Sequence, residues 1–256
     1  MLIGLRRFAP ATNAIDAAWC SNFSSGDTWT PTGTVWQTNN GPLQVANAVG
    51  LLGVQKPGHG SPSNPHTAAT EKIVADLAAV IGLPIPPVTL WDRGAGDPQY
   101  VAVSAWAFEQ PLTWQQGEKF LNPQERAHLV RAASAVLPFE AWISAQDRQN
   151  AGNVLITLDP GGQPMGAWID YAFALDHSWR GNNHAACPVG ALYPPLGAAA
   201  DGAVMKQVAD EIVAIDNGTI EGIINRIPSS YLPRPVADNI ITNLKSRRAV
   251  VRAVWP

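Results

Sequence analysis

Cysteine is nearly absent. Cys20 and Cys187 are the only two in 256 residues, and they form neither a framework nor a CxxC pair. That excludes a disulfide-stapled scaffold and suits a reducing compartment. No apolar run approaches the roughly 18 residues a membrane helix needs, and the opening MLIGLRRFAP is too short and too soon broken for a signal peptide. Positive charge is also scarce: the net charge is −3, which gives no electrostatic pull toward nucleic acid. There is no GxSxG, so Ser61 or Ser63 with a histidine makes a poor hydrolase. No internal repeat is present. The expectation is a soluble cytoplasmic protein with no membrane span and no direct nucleic-acid contact.

What is abundant is core material. Hydrophobic residues make up 46% of the chain and ten are tryptophan, enough for one large domain or two lobes sharing a cleft. After a Ser/Thr/Asn/Gly-rich start over 1–33, strands are predicted over 34–37, 43–48 and 50–56, the last ending on Lys56. A turn is predicted at Asn39-Asn40-Gly41-Pro42, and 57–65 is loop. A helix follows over about 66–82, with Ile73, Val74, Leu77, Val80 and Ile81 on one face and Glu71 near that stripe. Two more strands are predicted at 88–91 and 100–106, and 105–111 is a candidate linker.

The second half is mostly helical. Asn122-Pro123-Gln124-Glu125 carries a cap residue, proline at the first helical position and Glu three after the cap. Pro138 is expected to break or kink that helix. Helices are predicted near 202–216, 218–226 and 235–253, with an irregular segment over 177–200. Lys245, Arg247, Arg248 and Arg252 make the last helix basic, which reads as a solvated face rather than a nucleic-acid surface.

Chemistry concentrates in Trp142 to Asp170. Asp147 sits in a polar turn, Val154–Leu158 reads as a strand, Asp159-Pro160-Gly161-Gly162 as a turn, and 165–169 as a returning strand that ends on Asp170. A hairpin brings the start of its first strand beside the end of its second, so Asp147, Asn150, Asn153 and Asp170 fall on one polar rim. Two carboxylates and an amide there suit magnesium-dependent phosphoryl transfer, in which one Asp accepts the nucleophile's proton while the other and an Asn hold the metal on the phosphates. Asp170 lies between the apolar stretches AWI and YAFAL, so its carboxylate is expected to be partly desolvated and to need a cation. The local alternative is that Asp, Asn and Gly are here as ordinary turn formers.

Lys56 at a strand end and Glu71 on the next helix extend the pattern. Taken singly, they read as an exposed lysine and a solvated helix residue. Strand lysine, helix glutamate, linker, catalytic Asp, Asn and metal Asp is, however, the order in kinases. A zinc site from Asp176, His177, His184 and Cys187 matches no standard spacing.

Five blocks then carry a resemblance: GVQKP around Lys56, ATEKIVADLAAVIGLPIPP, FEAWISAQDRQNAGNVLI, IDYAFAL and IPSSYLPRPVADNIITNLKSRRAVV. In this order, over about 50–254, they resemble the HipA-like kinases, especially the short phosphoinositide-kinase-like group. The resemblance implies an α+β, two-lobed protein-kinase-like fold. Residues 1–108 would form a small antiparallel sheet lobe with one helix, and 109–256 a larger helical lobe carrying the catalytic hairpin. It implies Asp147 as catalytic base, Asp170 as metal aspartate, Lys56 on the ATP phosphates and Glu71 as its partner. ATP and Mg2+ would be the cofactors, a protein Ser/Thr hydroxyl the acceptor, and a toxin-like role with a neutralising partner protein is implied. A kinase-derived binding module without catalysis is the alternative. The sequence departs from the family at the metal asparagine, expected five residues after Asp147, where Gly152 stands; Asn153 is the preferred ligand and Asn150 the alternative. No Gly-rich loop precedes Lys56; Ser24-Ser25-Gly26-Asp27 is a weak candidate.

Overall fold

Alternation of side chains in β5 (Tyr100–Ala105) sorts the N-terminal half into two faces. Ala102 joins the main apolar cluster, whereas Val103 and Ala105 join a smaller one with Trp29, Val45 and Ala167. The strand lies inside a five-stranded antiparallel sheet, ordered β1-β2-β3-β5-β4. Its partners are β1 (Trp29–Val35), β2 (Leu43–Asn47), β3 (Leu52–Lys56) and β4 (Val88–Asp92). Helix α1 (Thr67–Val80) covers one face, burying Ile73, Val74 and Leu77 with Val88, Leu90 and Ala102. The computed structural model describes residues 28–35, 42–56, 66–95, 99–107, 111–145, 148, 150–158, 162–175 and 200–255.

The first strand begins earlier than predicted, at Trp29 rather than residue 34. Trp29 is 2% exposed beneath the sheet, and burial of so large a ring outweighs the poor strand propensity of Pro31 and Gly33. The predicted positions 36 and 37, and most of the following turn, lie outside the described residues.

Three strands form a second antiparallel sheet, β6 (Leu112–Thr113), β7 (Val154–Leu158) and β8 (Pro164–Trp168), in that order. The predicted hairpin is present, with Val154 opposite Trp168 and Leu158 opposite Pro164. Of its turn, Gly162 is described, at a positive φ of 79° that glycine adopts without penalty. The two-residue β6 and the single-turn α2 (Trp114–Gly117) that follows it were not anticipated.

Helix α3 (Pro123–Trp142) starts as its sequence dictates. The Asn122 side chain accepts from the amides of Gln124 and Glu125 at 2.9 Å, and Glu125 accepts the Asn122 amide at 2.8 Å. Pro138 does not break it. A proline inside a helix costs about 3 kcal/mol. The buried Val136, Leu137, Phe139 and Trp142 around it each contribute about 1.5–3 kcal/mol by burial, so the helix runs through.

Against α3 pack α4 (Gly202–Ala214) and α6 (Arg234–Val254), while α5 (Asn217–Asn225) packs on α6 and α1, all close to their predicted spans. Of the basic residues of α6, Arg252 is exposed as predicted, but Lys245, Arg247 and Arg248 are not. Arg247 is buried and donates to the Ala141 and Trp142 carbonyls at the end of α3, while the Trp142 indole donates to Leu244 at 2.8 Å. Arg248 reaches the Ile215 carbonyl and Asn217, Lys245 pairs with Glu221, and Arg252 with Asp210. Arg247 and Arg248 thereby close the C-terminal ends of α3 and α4, while Lys245 and Arg252 pair with acids inside α5 and α4.

The result is a mixed α+β fold with six α-helices among the described residues. One apolar cluster joins α1, β4 and β5 to α3 through α6, so the packing runs uninterrupted across the sequence boundary at 108/109. No described helix is long and apolar enough to cross a membrane.

Candidate active site

Register places Lys56. It stands opposite Ala102, which stands opposite Leu90; all three share the face covered by α1, so the lysine points at the helix. There its Nζ meets Glu71 Oε1 at 2.6 Å. Glu71 is 4% exposed and belongs to the buried stripe of α1, not to a solvated face. A buried carboxylate demands partners. Glu71 Oε1 has a second one in the Tyr171 amide, which donates at 3.1 Å.

Asp170 completes the cluster, with Oδ1 3.6 Å from Lys56 Nζ. Burial pulls the Lys56 pKa down, but the facing carboxylates of Glu71 and Asp170 more than offset this and hold it above its ordinary value. The side chain is therefore an ammonium at neutral pH. Burial pushes the Glu71 carboxyl up, against the opposing pull of Lys56.

Asp170 is partly buried, as its apolar neighbours predict, but 39% of its side chain remains exposed. The cause is local: φ is 64°, a left-handed conformation that Asp tolerates better than most residues. It breaks the alternation of β8 and turns the carboxylate out of the apolar run. The charge is thus presented at the surface beside a fixed cation.

The other predicted residues divide. Asn153 is buried immediately before β7, and its carbonyl accepts the Ile169 amide at 2.9 Å, one residue from Asp170. Asn150 is exposed, and its side chain accepts the Gly152 amide at 3.0 Å, capping the short 3-10 turn Ala151–Asn153. Asp147 lies outside the described residues, as do Asp176, His177, His184, Cys187, Ser61, Ser63 and Ser24-Ser25-Gly26-Asp27. The structure thus brings together Lys56, Glu71 and Asp170, with Asn153 adjoining.

Two residues of the neighbourhood escaped sequence reasoning. Arg148 Nε bonds Glu140 Oε1 at 2.9 Å, both side chains fully buried. Arg148 Nη1 donates to the carbonyls of Ile169 at 3.0 Å and Asp170 at 2.9 Å. A signal existed: Glu140 is a lone acid within VLPFEAWI, and an acid so flanked needs an interior cation.

No protein-family model matches the chain, and no curated protein matches its sequence. Among solved structures the fold is similar to that of a Helicobacter pylori proinflammatory kinase, CtkA. The TM-score is 0.54 at 12% identity, over 91% of this chain and 96% of that one. At that identity the likeness is one of fold alone.

Proposed function

We propose that this chain is an ATP- and magnesium-dependent kinase that transfers the γ-phosphoryl group to a serine or threonine hydroxyl of a protein. The observation that supports it most is the Lys56–Glu71–Asp170 cluster, on a fold shared with a kinase. Lys56 directs its charge toward the nucleotide phosphates, and Glu71 restrains it. Asp170 and Asn153 offer a carboxylate and an amide oxygen, hard donors that suit magnesium. Magnesium is commonly held by one or two protein oxygens together with water and phosphate. Bound ATP–magnesium would supply the transferable phosphoryl group and neutralise its charge. Asp147 accepts the proton of the acceptor hydroxyl. A protein acceptor and a neutralising partner protein belong to the same reading, on the resemblance to HipA-like kinases.

A second reading, a kinase fold that binds nucleotide or a partner without catalysis, draws on Gly152 at the position where kinases carry the metal asparagine. Transfer of label from γ-labelled ATP, with and without magnesium, separates the two. In that assay Asn153→Ala is expected to raise the magnesium requirement far more than Asn150→Ala, because the Asn150 side chain is committed to its own turn. The reverse order would move the ligand to Asn150. Label transfer by neither wild type nor variants would favour the non-catalytic module.

A further inference from the structure

Asp170 owes its unusual backbone to Arg148. The carbonyl of Ile169 belongs to the peptide plane before the Asp170 Cα, and the carbonyl of Asp170 to the plane after it. One nitrogen, Arg148 Nη1, binds both, at 3.0 and 2.9 Å. The second plane is also tied at its other edge, where the Tyr171 amide donates to Glu71. With both planes held, φ and ψ of Asp170 are fixed together in the left-handed region, a conformation that persists only where its surroundings over-determine it.

The guanidinium is itself immobilised. Nε bonds Glu140 Oε1 at 2.9 Å, and its carbon lies 4.3 Å from the centre of the Tyr171 ring. The Tyr171 hydroxyl donates to the same Glu140 oxygen at 3.1 Å. Two further strained residues, Ser144 and Leu175 with φ of 54° and 52°, flank this stretch, and the Leu175 amide donates to Ile143 at 2.9 Å. The planar fork serves the acid with one edge and the carbonyls with another, which a lysine cannot do.

We propose that Arg148, seated on Glu140 and Tyr171, is a positioning residue that sets the Asp170 backbone so that its carboxylate is presented for magnesium. This rests on the kinase reading and adds to it a residue that touches neither metal nor nucleotide. Support for a ligand from behind commonly alters metal affinity 10- to 100-fold.

The test uses the full chain, with Arg148→Lys to keep a buried cation and Tyr171→Phe to remove only the hydroxyl. Two quantities are read: the magnesium concentration giving half of the ATP-linked rise in melting temperature, and hydrogen exchange of the amide at position 171. In Arg148→Lys the magnesium requirement should rise about tenfold or more and the amide should exchange faster, with magnesium-free ATP binding unchanged. Tyr171→Phe should move both in the same direction by less, and it decides the matter if Arg148→Lys does not fold. Folded variants with wild-type magnesium dependence and wild-type exchange overturn the positioning role while leaving the kinase reading standing. A wild-type protein with no ATP–magnesium response overturns both.

Discussion

Asp147→Asn is expected to lower phosphoryl transfer by about 100- to 10,000-fold, the usual contribution of a general base, with the melting temperature little changed. An amide has nearly the shape of a carboxylate but cannot take a proton from the acceptor hydroxyl. Arg148, its chain neighbour, is tied to Glu140 and to the carbonyls of Ile169 and Asp170, bonds that the exchange at 147 does not remove. Single-turnover transfer from γ-labelled ATP, alongside thermal unfolding, checks both halves. Wild-type turnover in the variant would place the base elsewhere.

Lys56→Met should cost about 3 kcal/mol at pH 8, the lower end for breaking a buried ion pair, since Lys56 keeps 18% of its side chain in solvent. The loss should be smaller at pH 5. Without Lys56 the buried Glu71 has no cation, and burial already pushes its pKa above the ordinary 4.5. The folded variant then binds the Glu71 proton more tightly than the unfolded chain does. Stability therefore falls as pH rises from the ordinary carboxyl range through the raised folded value. Wild type shares the raised Glu71 pKa, though Lys56 opposes the shift, and adds a separate alkaline edge: the Lys56 pKa is raised by folding, so that part of its stabilisation is complete below the ordinary lysine value and is lost only in strong alkali. Urea unfolding of both proteins at the two pH values measures this. Equal losses at pH 5 and pH 8 would show that Glu71 is not the group left uncompensated.

Much of this arrangement was legible in the sequence because it is local. The Asn122–Glu125 cap and the hairpin pairing of 154–158 with 164–168 follow from short-range rules. So do the three closing helices. The pairing of Lys56 with Glu71 was implied by their order along the chain, which is that of kinases, together with the resemblance to HipA-like kinases. What escaped depends on tertiary packing, whether the partners are near in the chain or far apart. Glu140 and Arg148 sit in different local contexts and meet only because α3 ends where the polar turn begins. Arg247 lies on the inward stripe of α6 with Ile240, Leu244 and Val251, yet its charge argued for solvent; its partners, the last carbonyls of α3, are 105 residues away. The left-handed backbone of Asp170, which leaves part of its carboxylate exposed, had no signal in the sequence.

The central claim is that Asp170 holds magnesium against ATP beside Lys56. Melting temperature with ATP, with and without magnesium, tests it most directly when wild type is compared with Asp170→Asn, which keeps the left-handed backbone tolerable but removes the charge. At a hundredfold excess over Kd, binding to the folded state alone stabilises by about 2.7 kcal/mol, or roughly 5–10 °C for a chain of this size. The account predicts that rise in wild type, mostly dependent on magnesium, and loss of its magnesium-dependent part in Asp170→Asn. An equal magnesium-dependent rise in both proteins, or none in wild type, would contradict it.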